Sequence, residues 1–162
     1  MIPYGLYFMT AEDKDGRISA AIVNWVTQAS FKPPLVAVSV KADSQIYDIV
    51  KTAGNFALNV FSNGQQGAAY AFFKPAERDR QTISSEPFHA GSTGAPVLEN
   101  TPAFVVCRLV TTVEEGDHSI FVGKVVDAGV TQDPEGCADE TTLMLKELGE
   151  KTFLQRLIGK IL

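Results

Sequence analysis

Residues 24–41 read NWVTQASFKPPLVAVSVK, and this stretch is the clearest indication of the fold in the sequence. The letters before the two prolines continue a run that favours a β-strand, and LVAVSV after them is rich in β-branched residues. Neither Pro33 nor Pro34 can donate a backbone hydrogen bond to a sheet, so the prolines interrupt the run. The stretch therefore predicts two strands separated by a diproline turn.

The chain on either side of this pair is rich in further strand patterns and poor in helical ones. Predicted strands cover residues 4–10, 17–30, 35–40, 55–61, 103–113 and 119–130, with a short one at 143–145. Polar turns at 12–16 and 114–117 predict two hairpins. Predicted helices cover residues 44–53, begun by Asp43 or Ser44 and stopped by Gly54, and residues 65–73. Since parallel sheets need long crossover helices, the pattern predicts a mainly β, antiparallel barrel.

Two segments carry no strand pattern. Residues 74–100 are rich in Pro, Gly, Ser and charged residues, and we expect a long loop there. Residues 151–162 place apolar side chains at helical intervals and predict an amphipathic helix. We assign residues 1–150 to one domain and this helix to the same domain, packed within the subunit or against a second one.

Composition and charge narrow the class of protein. The 162 residues are 45% apolar and 20% charged, which is typical of one globular domain. A formal charge of −5 without a Lys/Arg cluster argues against a nucleic-acid partner. The sequence has no basic leader followed by an apolar run, nor about 18 apolar residues together, so we expect neither export nor a membrane partner. With two cysteines, we expect a reduced, cytoplasmic protein.

Several catalytic and metal-binding patterns are missing from the sequence. His89, His118, Cys107 and Cys137 lack the spacing of metal ligands, so no metal site is predicted. There is no G-x-S-x-G elbow, no G-x-G-x-x-G motif and no P-loop pattern. Cys107 lies in an apolar run and is expected in the core.

The best candidate for a binding site lies around the two opening strands. Lys41 and Ser44 lie where the first predicted helix begins, and the free N–H groups and dipole of a helix N-terminus favour a phosphate. Asn24, Trp25 and Thr27 add an amide, an indole and a hydroxyl to an otherwise apolar run. These groups suit a flavin, which needs a flat slot for its ring and donors for its phosphate. On residue type alone, a core tryptophan, a simple helix cap and a solvated lysine remain alternatives.

Three blocks of sequence resemble the flavin reductase-like family, whose fold is the FMN-binding split barrel. The first is WVTQASFKPPLVAVSV, and the second is NFALNV at residues 55–60, followed by Gln65 and by AFF at residues 71–73. The third, GDHSIFVGKV at residues 116–125, resembles the family's G-D-H-x-x-F-x-G-x-V hairpin. The resemblance implies an antiparallel split β-barrel of Greek-key type with a few short helices, closest to flavoredoxin-like and diflavin-protein reductase domains.

The resemblance also implies where a cofactor and a reductant bind. It implies a homodimer with FMN, or less often FAD, near the subunit interface, and NADH or NADPH as the reductant. His118 would lie on the nicotinamide side and orient that ring. Lys74 stands where many members have Ser. The residues that the resemblance places around the flavin are Asn24, Trp25, Val26 and Thr27 at the ring and ribityl chain, Val40, Lys41 and Ser44 at the ribityl chain and phosphate, and Ala71, Phe72 and Phe73 at the far edge.

The resulting prediction is an FMN-binding, NAD(P)H-dependent flavin reductase that transfers hydride from the nicotinamide to flavin N5 and passes electrons to an acceptor. The protein would position the two reactants while the cofactor carries the chemistry. The alternative is a flavoredoxin-like electron-transfer protein that exchanges electrons with a redox protein partner and does not oxidise the nicotinamide itself. A third alternative is a domain that has lost its cofactor.

Overall fold

The structure, a computed structural model, describes residues 5–62, 64–72, 78–79 and 81–131. These residues form eleven strands and two helices, which confirms the predicted mainly β, antiparallel class. The strand predicted at 143–145 and the helix predicted at 151–162 lie outside the described residues. The elements are β1 (Tyr7–Glu12), β2 (Ile18–Val23), β3 (Val26–Phe31), β4 (Pro34–Lys41), α1 (Gln45–Ala53), β5 (Asn55–Val60), α2 (Gln66–Ala71), β6 (Arg78–Asp79), β7 (Thr82–Ile83), β8 (Glu86–Ala90), β9 (Pro96–Leu98), β10 (Ala103–Val113) and β11 (His118–Val130).

Seven strands form one sheet in the order β2-β1-β5-β10-β11-β4-β3, and each neighbouring pair is antiparallel. β2 and β3 are the two edges of this sheet, yet only Asn24 and Trp25 separate them along the chain. In a flat sheet, six spacings of about 4.8 Å would put the edges about 29 Å apart. Three Cα steps reach at most about 11 Å. The sheet must therefore curl until its edges approach each other at this junction.

The pairing of the strands corrects the prediction for residues 17–30 and confirms the two predicted hairpins. The strand predicted over residues 17–30 is two strands, because its first half pairs with β1 and its second half with β4. The predicted hairpins are confirmed as the β1–β2 and β10–β11 pairs. The diproline turn also lies where it was predicted, with Pro34 opposite Phe31 at the start of β4.

The main core lies between the curled sheet and α1. The Oγ of Ser44 accepts a hydrogen bond from the amide of Tyr47, and Gly54 ends the helix at a φ of 69° in the left-handed conformation. These are the cap and the stop that the sequence predicts. Neither helix in the described part of the chain is long and apolar enough to cross a membrane. The core packs Ile46, Ile49 and Val50 of α1 with Met9, Val38, Val40, Phe56 and Phe121 of the sheet.

Where the sequence predicted a long loop, the structure has a second sheet of four strands, β6 to β9 in chain order. The prediction is wrong there because strands of two to five residues leave no periodic pattern. Two buried polar side chains of the large sheet hold β9. The Oγ1 of Thr10 donates to the carbonyl of Pro96 at 2.5 Å, and the Oδ1 of Asn59 accepts from the amide of Leu98 at 2.9 Å.

Candidate functional site

The junction between β2 and β3 forms one wall of the candidate site. Asn24 is half-buried, and Trp25 is 43% exposed. The carbonyl of Trp25 accepts a hydrogen bond from the amide of Ser39 at 3.0 Å, which ties the junction to β4. Val26 packs against the main core and Thr27 faces solvent, as alternation along a strand requires. Among these four predicted contacts, Trp25 and Thr27 offer exposed side chains.

The end of β4 forms the second part of the site. Val40 is buried in the main core, so its side chain faces away from solvent. The side chain of Lys41 is about half exposed, and its Nζ lies 2.8 Å from Oδ1 of Asp43. Ser44 donates its hydroxyl hydrogen to the carbonyl of Lys41 at 2.6 Å. The lysine and the helix cap that the sequence singled out are therefore in direct contact.

The first turn of α1 presents backbone donors beside this contact. The amide of Tyr47 donates to the side chain of Ser44, and the amide of Asp48 donates to its carbonyl. Gln45 and Ile46 are the first two residues of α1, so their amides precede any intrahelical acceptor. Together with Lys41 they give this end of the helix the donor set that a phosphate requires.

His118 completes the group from the opposite strand. It begins β11 and lies directly opposite Lys41 of β4. Its ring centroid lies 4.9 Å from that of Trp25, with the two planes at 52°. Its Nδ1 is 3.1 Å from Oδ1 of Asp117, but the approach is not aligned for a hydrogen bond, and Nδ1 has no other hydrogen-bond partner among the described residues. Contact with the imidazole, and then its charge, lower the pKa of Asp117, so this carboxylate is ionised at neutral pH.

The structure brings some of the predicted residues together and places others elsewhere. Trp25, Lys41, Ser44 and His118 lie at one end of β3, β4 and β11. Phe72 is 4% exposed and packs on Phe8, with ring centroids 4.2 Å apart, in a second core cluster. Ala71 is the last residue of α2, and Phe73 lies outside the described residues. Within the described part of the chain, no ring contact joins Phe72 to the group around Trp25.

Two residues that the sequence analysis did not select lie next to this group. Tyr47 and Glu114 are joined by a hydrogen bond of 2.5 Å between the phenol and the carboxylate. They are 67 residues apart in the chain, so no local pattern relates them. The only signal was that Tyr47 lies one helical turn from Lys51, which also contacts Glu114.

Other chemistries find no support in the described part of the chain. No group of three or more His, Cys, Asp or Glu side chains there is placed to hold a metal ion. Cys107 is fully buried, and burial raises the pKa of its thiol to about 12. This confirms its predicted place in the core and leaves it protonated at neutral pH.

Comparison with known proteins identifies the family to which this mainly β, antiparallel chain is similar. Residues 1–146 match the family described as flavin reductase like domain. The chain is 34% identical over 123 residues to a flavin reductase from Pseudomonas putida, covering 76% of this chain and 71% of that one. It is 31% identical over 138 residues to a ferric-chelate reductase (NAD(P)H) from Archaeoglobus fulgidus, covering 83% and 80% of the two chains. A crystal structure of an FMN-binding protein from Thermus thermophilus superposes with a TM-score of 0.69 at 25% identity, covering 80% and 71%.

The chain belongs to the flavin reductase-like domain family. The family predicted from the three sequence blocks is therefore confirmed, and with it the class of function, a flavin-using oxidoreductase.

Proposed function

We propose that this protein is an FMN-binding NAD(P)H:flavin oxidoreductase whose site is the group formed by Trp25, Lys41, Ser44 and His118. The observation that carries the proposal is their meeting at the N-terminus of α1, where a cationic side chain, a hydroxyl and two backbone amides converge. When bound, the flavin accepts a hydride from the nicotinamide and passes the electrons onward. The protein binds and orients the two reactants.

The phosphate end of the flavin is assigned to the start of α1. The amides of Gln45 and Ile46 would donate to the phosphate oxygens, and the helix dipole would add a favourable potential. Lys41 supplies positive charge at the same place, and its side chain is accessible to a ligand. FMN fits this donor set better than riboflavin, because riboflavin has no phosphate for it.

The ring end of the flavin is assigned to Trp25 and His118. Trp25 presents a flat apolar surface that is partly exposed. The ring of His118 lies beside that of Trp25 and is partly exposed, so a bound reductant would contact both rings. Hydride transfer needs no proton from the protein, so His118 is assigned to orienting the nicotinamide. Asn24 and Thr27 flank this surface, and Val26 and Val40 support it from the core.

The far edge of the flavin site, assigned by resemblance to Ala71, Phe72 and Phe73, does not include an accessible side chain of Phe72. The side chain of Phe72 is inside the second core cluster. A direct contact with a cofactor would require it to leave Phe8. We assign it instead to holding the end of α2 in place.

We further propose that the curled sheet is the split barrel of this family and that two copies associate through its outer face. The two-residue link between the sheet edges supports the barrel. The outer face of β10 and β11 carries large apolar side chains that are 40% to 65% exposed, and contiguous surfaces of this kind mark protein interfaces. These side chains are Val110, Val113, Ile120, Val126 and Val130.

Binding and turnover test the proposal separately. Trp25 is the only tryptophan, so its fluorescence reports binding at the site directly. FMN is expected to quench it with higher affinity than riboflavin, and Ser44→Ala with Lys41→Met is expected to remove most of that difference. Under anaerobic conditions, NADH or NADPH is expected to bleach the absorbance of bound FMN. Protein that binds neither flavin, or whose FMN preference survives the double substitution, contradicts the assigned site.

The same experiment separates the enzyme from an electron-transfer protein. If FMN binds and neither nicotinamide bleaches it, the protein exchanges electrons with another partner and is not a reductase. Gel filtration or light scattering with Ile120→Asp tests the proposed dimer, since a charge in an apolar interface is expected to shift the mass towards a monomer.

A further inference from the structure

The tip of the β10–β11 hairpin is attached to α1 by a carboxylate that has no part in the proposed site. A single oxygen of Glu114 accepts hydrogen bonds from the phenol of Tyr47 at 2.5 Å and from Nζ of Lys51 at 2.6 Å. Tyr47 and Lys51 are one helical turn apart, so α1 presents both donors on the same side. One carboxylate oxygen of the hairpin therefore contacts two successive turns of the helix.

The ring of Tyr47 strengthens this attachment. It stacks on Phe121 of β11, with ring centroids 5.4 Å apart and planes within 15° of parallel. The hydrogen bond to Glu114 raises the pKa of Tyr47 and that of Lys51, and the contact with Lys51 lowers the pKa of Glu114. At neutral pH the two donors keep their protons and the acceptor keeps its charge, so the contact persists near neutral pH.

The opposite end of the same turn is also tied to the β4–α1 segment. The amide of Ala42 donates to the carbonyl of Asp117 at 2.9 Å. Glu114 and Asp117 thus fix the two ends of a four-residue turn, and His118 is the next residue. The backbone of this turn therefore places His118, whose side chain contacts Asp117 of the same turn and the ring of Trp25.

We propose that Glu114 is a positioning residue, which holds the turn at residues 114–117 on α1 so that His118 faces Trp25. This inference rests on the proposed function, in which His118 orients the nicotinamide. It adds that one helix, α1, holds both ends of the proposed site, namely the phosphate end and His118. The start of α1 is the assigned phosphate end, and Tyr47 and Lys51 of the same helix fix the hairpin that carries His118.

The first test needs no cofactor. The imidazole of His118 lies against the indole of Trp25, so removing it in His118→Gln is expected to change the intensity and the wavelength of Trp25 fluorescence. The size of that change is the amplitude assigned to the contact. Glu114→Ala is expected to lose about half or more of the amplitude, whereas Glu115→Ala, the neighbouring exposed glutamate, should retain it. Full amplitude in Glu114→Ala, or the same fluorescence in the wild type and in His118→Gln, overturns the proposal.

Conservative variants show whether the hydrogen bonds themselves are responsible. Glu114→Gln keeps a neutral acceptor and is expected to recover most of the amplitude. Tyr47→Phe keeps the ring on Phe121 and removes only one donor, so a smaller loss in the same direction is expected. Exposed charge pairs contribute little to stability, so all these variants should unfold at nearly the wild-type temperature. A loss that is the same for Glu114→Gln and Glu114→Ala would contradict a hydrogen-bonding role.

The second test uses the FMN-loaded protein. Small displacements of a positioned group can cost large factors in rate, and we expect Glu114→Ala to lower kcat/KM for the nicotinamide about tenfold. The dissociation constant of FMN should stay within about twofold, because Ser44 and Lys41 are unchanged. A parallel loss of FMN affinity would mean a general structural role and would overturn the inference. If the wild type itself does not oxidise NADH or NADPH, the proposed function fails, while the fluorescence test of the Glu114 contact stands.

Discussion

Asp43 is expected to weaken the binding of phosphorylated flavins, and replacing it should make FMN bind more tightly. Its two carboxylate oxygens lie 2.8 Å and 2.9 Å from Nζ of Lys41, beside the cap of α1. A phosphate at the assigned site must therefore compete with Asp43 for the lysine. In Asp43→Asn the lysine charge becomes available to the ligand, and one negative charge near the phosphate disappears.

The magnitude follows from the exposure of the pair. The side chains of Lys41 and Asp43 are 49% and 74% exposed, and ion pairs of this kind contribute about 0.2–1 kcal/mol. Because about 1.4 kcal/mol corresponds to a factor of ten, the dissociation constant of FMN should fall about 1.4- to 5-fold. The gain should shrink as salt is added, since exposed charges are screened over about 8–10 Å at physiological ionic strength.

Quenching of Trp25 by FMN and by riboflavin measures this effect directly. Riboflavin lacks the phosphate, so its affinity should be the same in the wild type and in Asp43→Asn. Asp48→Asn is the matched control, because it removes a carboxylate from the first turn of the same helix without touching the pair at Lys41. Equal gains for FMN and riboflavin, or weaker FMN binding in Asp43→Asn, would refute the assignment of the phosphate to this end of α1.

Two further predictions concern the scaffold. Gly123→Ala is expected to lower the free energy of unfolding by about 1–3 kcal/mol, because a Cβ there would lie 2.5 Å from a ring carbon of Phe56. Urea denaturation measures this change. Wild-type stability of the variant would show that Phe56 moves to accommodate the added methyl group. The second concerns Asp13: burial alone would raise the pKa of its carboxyl, but hydrogen bonds and charge from Arg17 hold it below its usual value. Its contribution is therefore present above the unfolded-state pKa and is lost as the pH falls through the folded-state pKa, so stability should fall more steeply below about pH 4 in the wild type than in Asp13→Asn. Parallel pH curves for the two proteins would contradict this.

The parts of the fold that the sequence predicts correctly are those determined locally. Ser44 and Gly54 mark the ends of α1 because a cap and a left-handed stop depend on a few neighbouring residues. The two hairpins follow from polar turns between β-rich runs for the same reason. The break at Asn24 and Trp25 was not predicted, because it depends on which distant strands pair with each half of the run.

The candidate site shows the same division. The cap and the lysine beside it could be selected from residues 41–44, since their contact spans three positions. The approach of Trp25 to His118 joins residues 93 positions apart, and only the family resemblance related them. Neither the local sequence nor the family resemblance pointed to Glu114. It is an ordinary charged residue in a turn, and only the position of α1 shows which residues it contacts.

Helix α1 explains why a curled sheet alone would not define this site. The edges of the sheet approach each other at Asn24 and Trp25, but the position of His118 and of the proposed phosphate donors depends on a separate element. α1 buries one face in the main core, which fixes it relative to β4, and its exposed face holds the hairpin tip through Glu114. A change that shifts this helix should therefore disturb flavin affinity and reductant use together, whereas a change at Glu114 should disturb only the second. That difference distinguishes a site built around α1 from one built by the sheet alone.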